Sequence, residues 1–363
     1  MKPMSKSPLY PSAASTWINC PAAHLLRACF PQESGAAANG GTEAHKYAAA
    51  LLTGNGGTVG QMSREIAEAA DWYVRLVRAD IATQQIPIVE KQVECATIHP
   101  TLAGTVDACY FDSRGLHVYD LKTGKAPVSA FENWQLITYA AGLAEYYSLQ
   151  NKPTTPVEFI IAQRWSYSAH DYRGDRWTTT IGALAPYWQR LRDAAHAALG
   201  DNPRTQTGEH CRYCEGRHAC EAARNAALCA VDMSGSPVPV DTDDPAVLGY
   251  ELTVLDAAER VIRNRRTGLE AQAQAMIGRG QHVPGWAMSP TRGSTVWRPG
   301  VPVADLVAVG EAFGVEMRSV GLTPKQAIAA GIPEAIVEGL AERTAGSWKL
   351  SPVSDKDARR RLG

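Results

Sequence analysis

The chain has no excess of either charge: 36 lysines and arginines stand against 37 aspartates and glutamates, a formal net charge of -1. A whole-chain polycation is thereby excluded, although a local basic patch is not. No run approaches the roughly 18–20 consecutive apolar residues needed to cross a bilayer, and the opening MKPMSKSPLYPSAAS has no apolar signal core. These absences lead us to expect a cytoplasmic protein without a membrane partner. No internal repeat stands out, and 45% hydrophobic with 20% charged residues is an ordinary globular mix, not a disordered or fibrous one. The 363 residues suffice for two domains, or for one with attachments.

The hydrophobic period changes along the chain. Residues 8–30 read as a turn and a short helix, with Trp17, Ile18, Leu25 and Leu26 as the apolar stripe and Pro21 as a break beside Cys20. A glycine-rich turn from Gly35 to Gly41 leads into EAHKYAAALL, and a longer helical pattern runs from about Ser63 to Gln84. From residue 86 the pattern switches to three strands, IPIVEKQVECATI, GTVDACYFDSRG and LHVYDLKTGK. Val106, Ala108 and Tyr110 alternate with Asp107 and Cys109, as half-buried strands do. A helix from about Phe131 to Leu149, a strand in VEFIIAQRW, another near RWTTTIG and a helix from Ala185 to Leu199 follow. The order α, βββ, α, β, α predicts a mixed α/β core.

The proline- and aspartate-rich stretch SGSPVPVDTDDP marks a linker. We therefore divide the chain into residues 1–232, a linker at 233–246, and a mainly helical accessory region at 247–363. The last contains a long helix, a hairpin over VPGWAMSPTRGSTVW, two short helical patterns and a charged end, DKDARRR.

The most informative short stretches are Gly104-Thr105-Val106-Asp107 and Tyr119-Asp120-Leu121-Lys122-Thr123-Gly124, which a hairpin would lay side by side. Period-two geometry puts Asp120 and Lys122 on one face of their strand. Two carboxylates and a backbone carbonyl suit a hard cation such as Mg2+ or Mn2+, and a neighbouring lysine can orient or help deprotonate water. That is the chemistry of phosphodiester hydrolysis. Gln135 and Tyr139 share a face of the following helix by their i, i+4 spacing. Glu90 and Glu94, on the first strand, read as solvated.

Gly41-Thr42-Glu43-Ala44-His45, Gly104–Asp107, Asp120–Gly124 and Gln135-Leu136-Ile137-Thr138-Tyr139-Ala140 occur in an order that resembles the RecB-like branch of the PD-(D/E)xK nuclease superfamily, which includes CRISPR-associated RecB-like exonucleases. The resemblance covers about residues 10–225 and implies a restriction-endonuclease-like mixed sheet with flanking helices. It implies His45, Asp107, Asp120 and the backbone carbonyl of Leu121 as ligands of Mg2+ or Mn2+. Lys122 would be the catalytic lysine, and Gln135 and Tyr139 would position the DNA backbone.

Cys211, Cys214 and Cys220 form a C-x2-C-x5-C group one ligand short of a tetrahedral site. Cys20, Cys29, Cys229, His210 and His218 are candidates for the fourth, and spacing alone favours a local zinc knuckle completed by a histidine. Cys95 and Cys109, in predicted strands, read as buried apolar residues. The family resemblance points instead to a 4Fe-4S cluster on Cys20, Cys211, Cys214 and Cys220, with zinc as the alternative occupant. Such a cluster would staple the two ends of the nuclease domain.

The C-terminal stretches Val283-Pro284-Gly285-Trp286, Gly293–Trp297, Leu322–Ala327 and Leu350–Asp355 resemble a largely phage-encoded family of RecB-like proteins. This implies a phage or prophage protein, in a bacterial host, acting in DNA recombination, replication or repair. Arg263, Arg265 and Arg266, with Arg260, form a candidate phosphate-binding patch. Trp286 and Trp297, near Arg292 and Arg298, could stack on bases or simply pack.

The leading expectation is a metal-dependent DNA exonuclease acting on free ends or single strands. Its partners would be DNA and a phage single-strand-binding or annealing protein, with homo-oligomers as a route to processivity. A DNA-binding recombination or packaging accessory that keeps the fold but hydrolyses little is the alternative. A zinc-stabilised binding protein with no nuclease core is the third reading.

Overall fold

The computed structural model describes residues 8–30, 36–56, 63–81, 86–124, 126–164, 174–233, 244–298, 301–317, 322–354 and 357–358. Most of the expected linker and the end of DKDARRR lie outside these residues. The chain separates into two compact units, Met1–Gly268 and Leu269–Gly363.

The first unit is a five-stranded mixed sheet between two helical layers. In chain order it contains α1 (Ala14–Trp17), α2 (Ala23–Cys29), α3 (Ala36–Leu52), α4 (Arg64–Asp80), β1 (Ile88–Glu94), β2 (Ala103–Asp112), β3 (Gly115–Leu121), α5 (Trp134–Tyr146), β4 (Pro156–Ala162), β5 (Asp175–Thr180), α6 (Ala185–Leu199), α7 (Glu221–Met233) and α8 (Pro245–Gly278), which runs on past the division. The strands lie in the order β1-β2-β3-β4-β5. All pairs are antiparallel except β3 with β4, where α5 forms the crossover that a parallel pair requires.

Both faces of the sheet are covered, which explains why every residue of β3 is buried. Leu116, Val118 and Phe159 pack with α1, α5 and α6, whereas Tyr119, Leu121 and Ile160 pack with α3 and α4. Caps set the helix starts nearest the site. Ser63 accepts from Ile66 N–H to open α4, and Asn133 accepts from the N–H groups of Gln135 and Leu136 to open α5. The expected glycine-rich turn is corrected: α3 begins at Ala36 and contains Gly40 and Gly41. A side chain at Gly40 would come within 2.5 Å of Ile66 Cδ1, so glycine serves the close packing of α3 on α4.

A charge network crosses β3, β4 and β5. Arg176 donates to Asp80 Oδ2 at 2.5 Å and to Glu158 Oε1 at 3.0 Å, His117 Nδ1 lies 2.9 Å from Glu158 Oε2, and Tyr119 donates to Asp80. The His117 contact, with Arg176 beside it and burial opposing both, holds Glu158 down from 4.5 to about 2. A depressed carboxyl stabilises the fold above its ordinary range and loses that contribution as pH falls through the depressed value. Wild type is therefore expected to lose about 3 kcal/mol between roughly pH 5 and pH 2 from this group, at 1.36 kcal/mol per unit. Glu158→Gln, less stable at neutral pH, should show a flatter acid limb in denaturant titrations. Equal acid slopes for the two proteins would disprove the assignment.

The second unit holds β6 (Trp286–Pro290), β7 (Thr295–Trp297), α9 (Val303–Ala312), α10 (Pro324–Ala329), α11 (Glu334–Leu340), β8 (Ala341–Arg343) and β9 (Trp348–Pro352). The expected hairpin within 283–297 is not formed: β6 pairs with β9 and β7 with β8. Trp286 faces Pro352 and Trp297 faces Ala341, so both pairs share one antiparallel register. Between them, side chains at Gly293 or Gly346 would strike the backbone oxygens of Thr344 or Thr291. The partner of VPGWAMSPTRGSTVW thus lies some 55 positions away, beyond the reach of local alternation. Leu306, Val315, Met317, Ala327, Ile332, Val337 and Ala341 form this unit's core.

Candidate functional site

Ala108 pairs with Tyr119, which places Asp107 opposite Asp120 on the adjoining strands. Asp120 is 1% exposed, on the central strand. Its Oδ1 accepts from Gln135 Nε2 at 2.7 Å, and its Oδ2 lies 2.7 Å from Lys122 Nζ. That second contact is a charge pair off hydrogen-bond alignment, leaving the buried Oδ2 without an aligned donor. Lys122 also donates to Gln135 Oε1 at 3.1 Å. The Gln135 amide is thereby fixed at both ends, with Tyr139 OH 3.3 Å from its nitrogen.

Asp107 Oδ2 accepts from Leu121 N–H at 2.8 Å, while its Oδ1 lies 3.2 Å from His45 Nδ1 on α3. The expected side chains thus form two contact groups, His45 with Asp107 and Asp120 with Lys122, Gln135 and Tyr139, and the Leu121 backbone N–H connects them. Burial raises the Asp120 carboxyl, opposed by Lys122 and reinforced by Asp107. Burial disfavours the charged forms of Lys122 and His45, but their carboxylate neighbours outweigh it and raise both groups. The arrangement keeps positive charge beside a carboxylate in a largely dry setting.

Two residues of the site were not among the expected ones. Glu90 is exposed, as a strand glutamate often is, yet its carboxylate belongs to a group with His45 and Asp107 whose donor atoms lie within 4.8 Å of one another and could hold a metal ion. Its backbone has φ 49, and the ladder pairs on either side, Val89 with Ala108 and Lys91 with Val106, leave Glu90 opposite Asp107. A non-glycine residue in this region costs about 1–2 kcal/mol. Tyr73 on α4 is fully buried, and its hydroxyl has no hydrogen-bond partner. Burial, then the charges of Asp107, Asp120 and Glu90, push its phenol well up. The His45, Glu90 and Asp107 imidazole–carboxylate group, with the Asp120 carboxylate opposite Asp107, fits a divalent cation. In sequence Tyr73 reads only as a core aromatic; the φ of Glu90 has no sequence signature.

Cys20, Cys211, Cys214 and Cys220 are all buried, and none is in a disulfide. Cys20 follows α1, and Gln206 N–H lies 3.4 Å from its sulfur. Burial raises the thiols of Cys20, Cys211 and Cys214, and charge interactions link Cys20 with Cys220, Cys211 and Cys214. Cys211, Cys214 and Cys220 form a buried cluster compatible with a soft metal centre. Of the other candidates, Cys29 and Cys229 are exposed, His218 lies against Phe30, and His210 Nε2 sits 3.8 Å from Cys211 Sγ and 2.8 Å from Gln206 O. Cys95 and Cys109 are fully buried, and burial pushes both up to about 12.

The basic residues are placed differently from one another. Arg265 donates to His218 O at 2.6 Å and to Arg217 O at 3.2 Å, so it clamps the cysteine loop. Arg263 pairs with Glu259 on its own helix, and Arg266 is exposed. Trp297 donates to Leu322 O at 2.7 Å and packs on the core of the second unit. No helix among the described residues is long and apolar enough to cross a membrane.

Over residues 6–358, a span that takes in the carboxylate group, the cysteines and both units, the sequence matches the family model described as Protein of unknown function (DUF2800), and the chain belongs to this family.

Proposed function

We propose that the protein is a metal-dependent deoxyribonuclease of the RecB-like PD-(D/E)xK type, acting from DNA ends in phage recombination, replication or repair. The observation that carries this reading is the Asp120–Lys122 pair bridged by Gln135, set against Asp107, His45 and Glu90. An ordinary surface ion pair needs neither a buried aspartate nor a third side chain fixing both partners.

His45, Asp107 and Asp120, with Glu90 and the Leu121 carbonyl, would hold Mg2+ or Mn2+, for which a mainly oxygen donor set is suited. The cation supplies Lewis-acid polarisation of the phosphate and a more acidic water. Lys122, kept charged by Asp120, orients the attacking water and balances negative charge on the phosphate. Gln135 holds Lys122 and Asp120 in fixed relation. Tyr139 extends that support toward the DNA backbone.

The four cysteines would bind a 4Fe-4S cluster, with zinc as the other occupant, joining the N-terminal segment to the end of the nuclease core. A phage single-strand-binding or annealing protein is the partner such an exonuclease would serve. The test is digestion of end-labelled linear and closed circular DNA by anaerobically purified protein with Mn2+ or Mg2+. Loss of the linear form alone, stopped by EDTA, is expected. Binding of both forms with no metal-dependent cleavage of either would replace the enzyme with a DNA-binding accessory.

A further inference from the structure

Helix α8 carries two stripes. Val254, Ala258, Val261 and Arg265 are half-buried and Gly268 is buried, at alternating spacings of four and three. A side chain at Gly268 would come within 2.6 Å of Arg217 Cγ, so this stripe rests on the cysteine loop. The second stripe is Leu248, Leu252, Leu255, Glu259, Ile262 and Arg266, again spaced by four and three. Its leucines and isoleucine are 41, 57, 57 and 42% exposed. Scattered exposed leucines need no explanation, but an aligned row about 21 Å long, interrupted only by Glu259, does. The spacing is that of a coiled-coil seam.

We propose that this second stripe is a self-association surface, through which two copies of the chain pair α8 on α8 in antiparallel fashion. The charges choose the partner and the direction. Parallel pairing in register would set Glu259 on Glu259 and Arg266 on Arg266. Antiparallel pairing about a two-fold axis near Ala257 sets Leu252 on Ile262, Leu255 on Glu259 and Leu248 on Arg266. Every layer then contains a large apolar side chain, and the stems of Glu259 and Arg266 cover leucine while their heads reach water. The surface is self-complementary, as an isologous dimer demands.

The test is sedimentation equilibrium of the full chain over a concentration series, for wild type and for Leu252→Glu/Leu255→Glu. The expected result is a concentration-dependent dimer for wild type and a monomer for the variant, with unchanged circular dichroism because both positions are exposed. Direction is read by mixing Leu252→Cys and Ile262→Cys chains, each in a Cys29→Ser/Cys229→Ser background. Antiparallel pairing gives a disulfide between the two variants; one formed within either variant alone overturns the proposed direction. A wild type that stays monomeric throughout, or a dimer that survives both glutamates, overturns self-association through this stripe.

Discussion

Asp120→Asn is expected to lower DNA hydrolysis by roughly 10²–10³-fold or more, the usual cost of removing one charge-stabilising group from a nuclease-type site. The substitution keeps the oxygen that accepts from Gln135 Nε2, so the shape of the site survives. It removes the carboxylate paired with Lys122, which with Asp107 sustains the lysine's charge against burial. Two functions are therefore lost together: a ligand for the cation and the charge on the lysine. Asp120→Ala is a poorer probe, because it also leaves Gln135 Nε2 without its acceptor and opens a gap on the central strand, which would confuse misfolding with lost chemistry. Initial rates on end-labelled linear DNA, measured with thermal melting and across a Mn2+ titration, separate these effects. An asparagine variant of wild-type melting and wild-type rate would remove Asp120 from the reaction.

The second large effect is expected from Cys20→Ser. Cys20 and Cys211 are 191 positions apart, and a metal centre joining them closes almost the whole first unit into a loop. By analogy with a covalent cross-link, closing a loop of about 100 residues is worth roughly 4.7 kcal/mol, and longer loops somewhat more. With melting shifts of about 2–4 °C per kcal/mol, the loss is roughly 10–20 °C. Metal content and visible absorbance should fall with it. If Cys20→Ser keeps both its metal and its melting point while His210→Ala loses them, the fourth ligand is the histidine and the centre is a local knuckle. Cys20 is the favoured fourth ligand, being buried with its sulfur 3.4 Å from Gln206 N–H, five residues before Cys211.

The polar part of the site was legible because its residues are few and ordered. His45, Asp107, Asp120, Lys122 and Gln135 each sit on an element that periodicity alone locates, and the β2–β3 register then brings them together. Glu90 was passed over because a glutamate on an amphipathic strand is usually solvated. What brings it to Asp107 is the β1–β2 register, with a positive φ at Glu90 that a glutamate does not advertise. Tyr73 was hidden for the opposite reason, since aromatic residues on helices belong in cores and only its unpartnered hydroxyl marks it out. Arg265 shows the limit for charged residues: from sequence it faces phosphate, whereas its guanidinium is turned toward backbone carbonyls. The ribbon of the second unit was misread as a hairpin because strand pairing at long separation leaves no local trace.

The distance from Cys20 to Cys220 also sets a clock. At roughly 5–20 residues per second, a ribosome needs about 10–40 s to synthesise the stretch between them. Throughout that interval the first cysteine has emerged and its three companions have not. The strands β1 to β5 can pair in the meantime, because all of them precede residue 181. Under the proposed function, loading of a four-cysteine centre would be an event of late synthesis or after it, and it would act on a sheet that is already made. A nascent chain starved of metal should therefore stall with its sheet formed and its first helices unpinned, a species that limited proteolysis would find open near residues 14–29 and closed at β3.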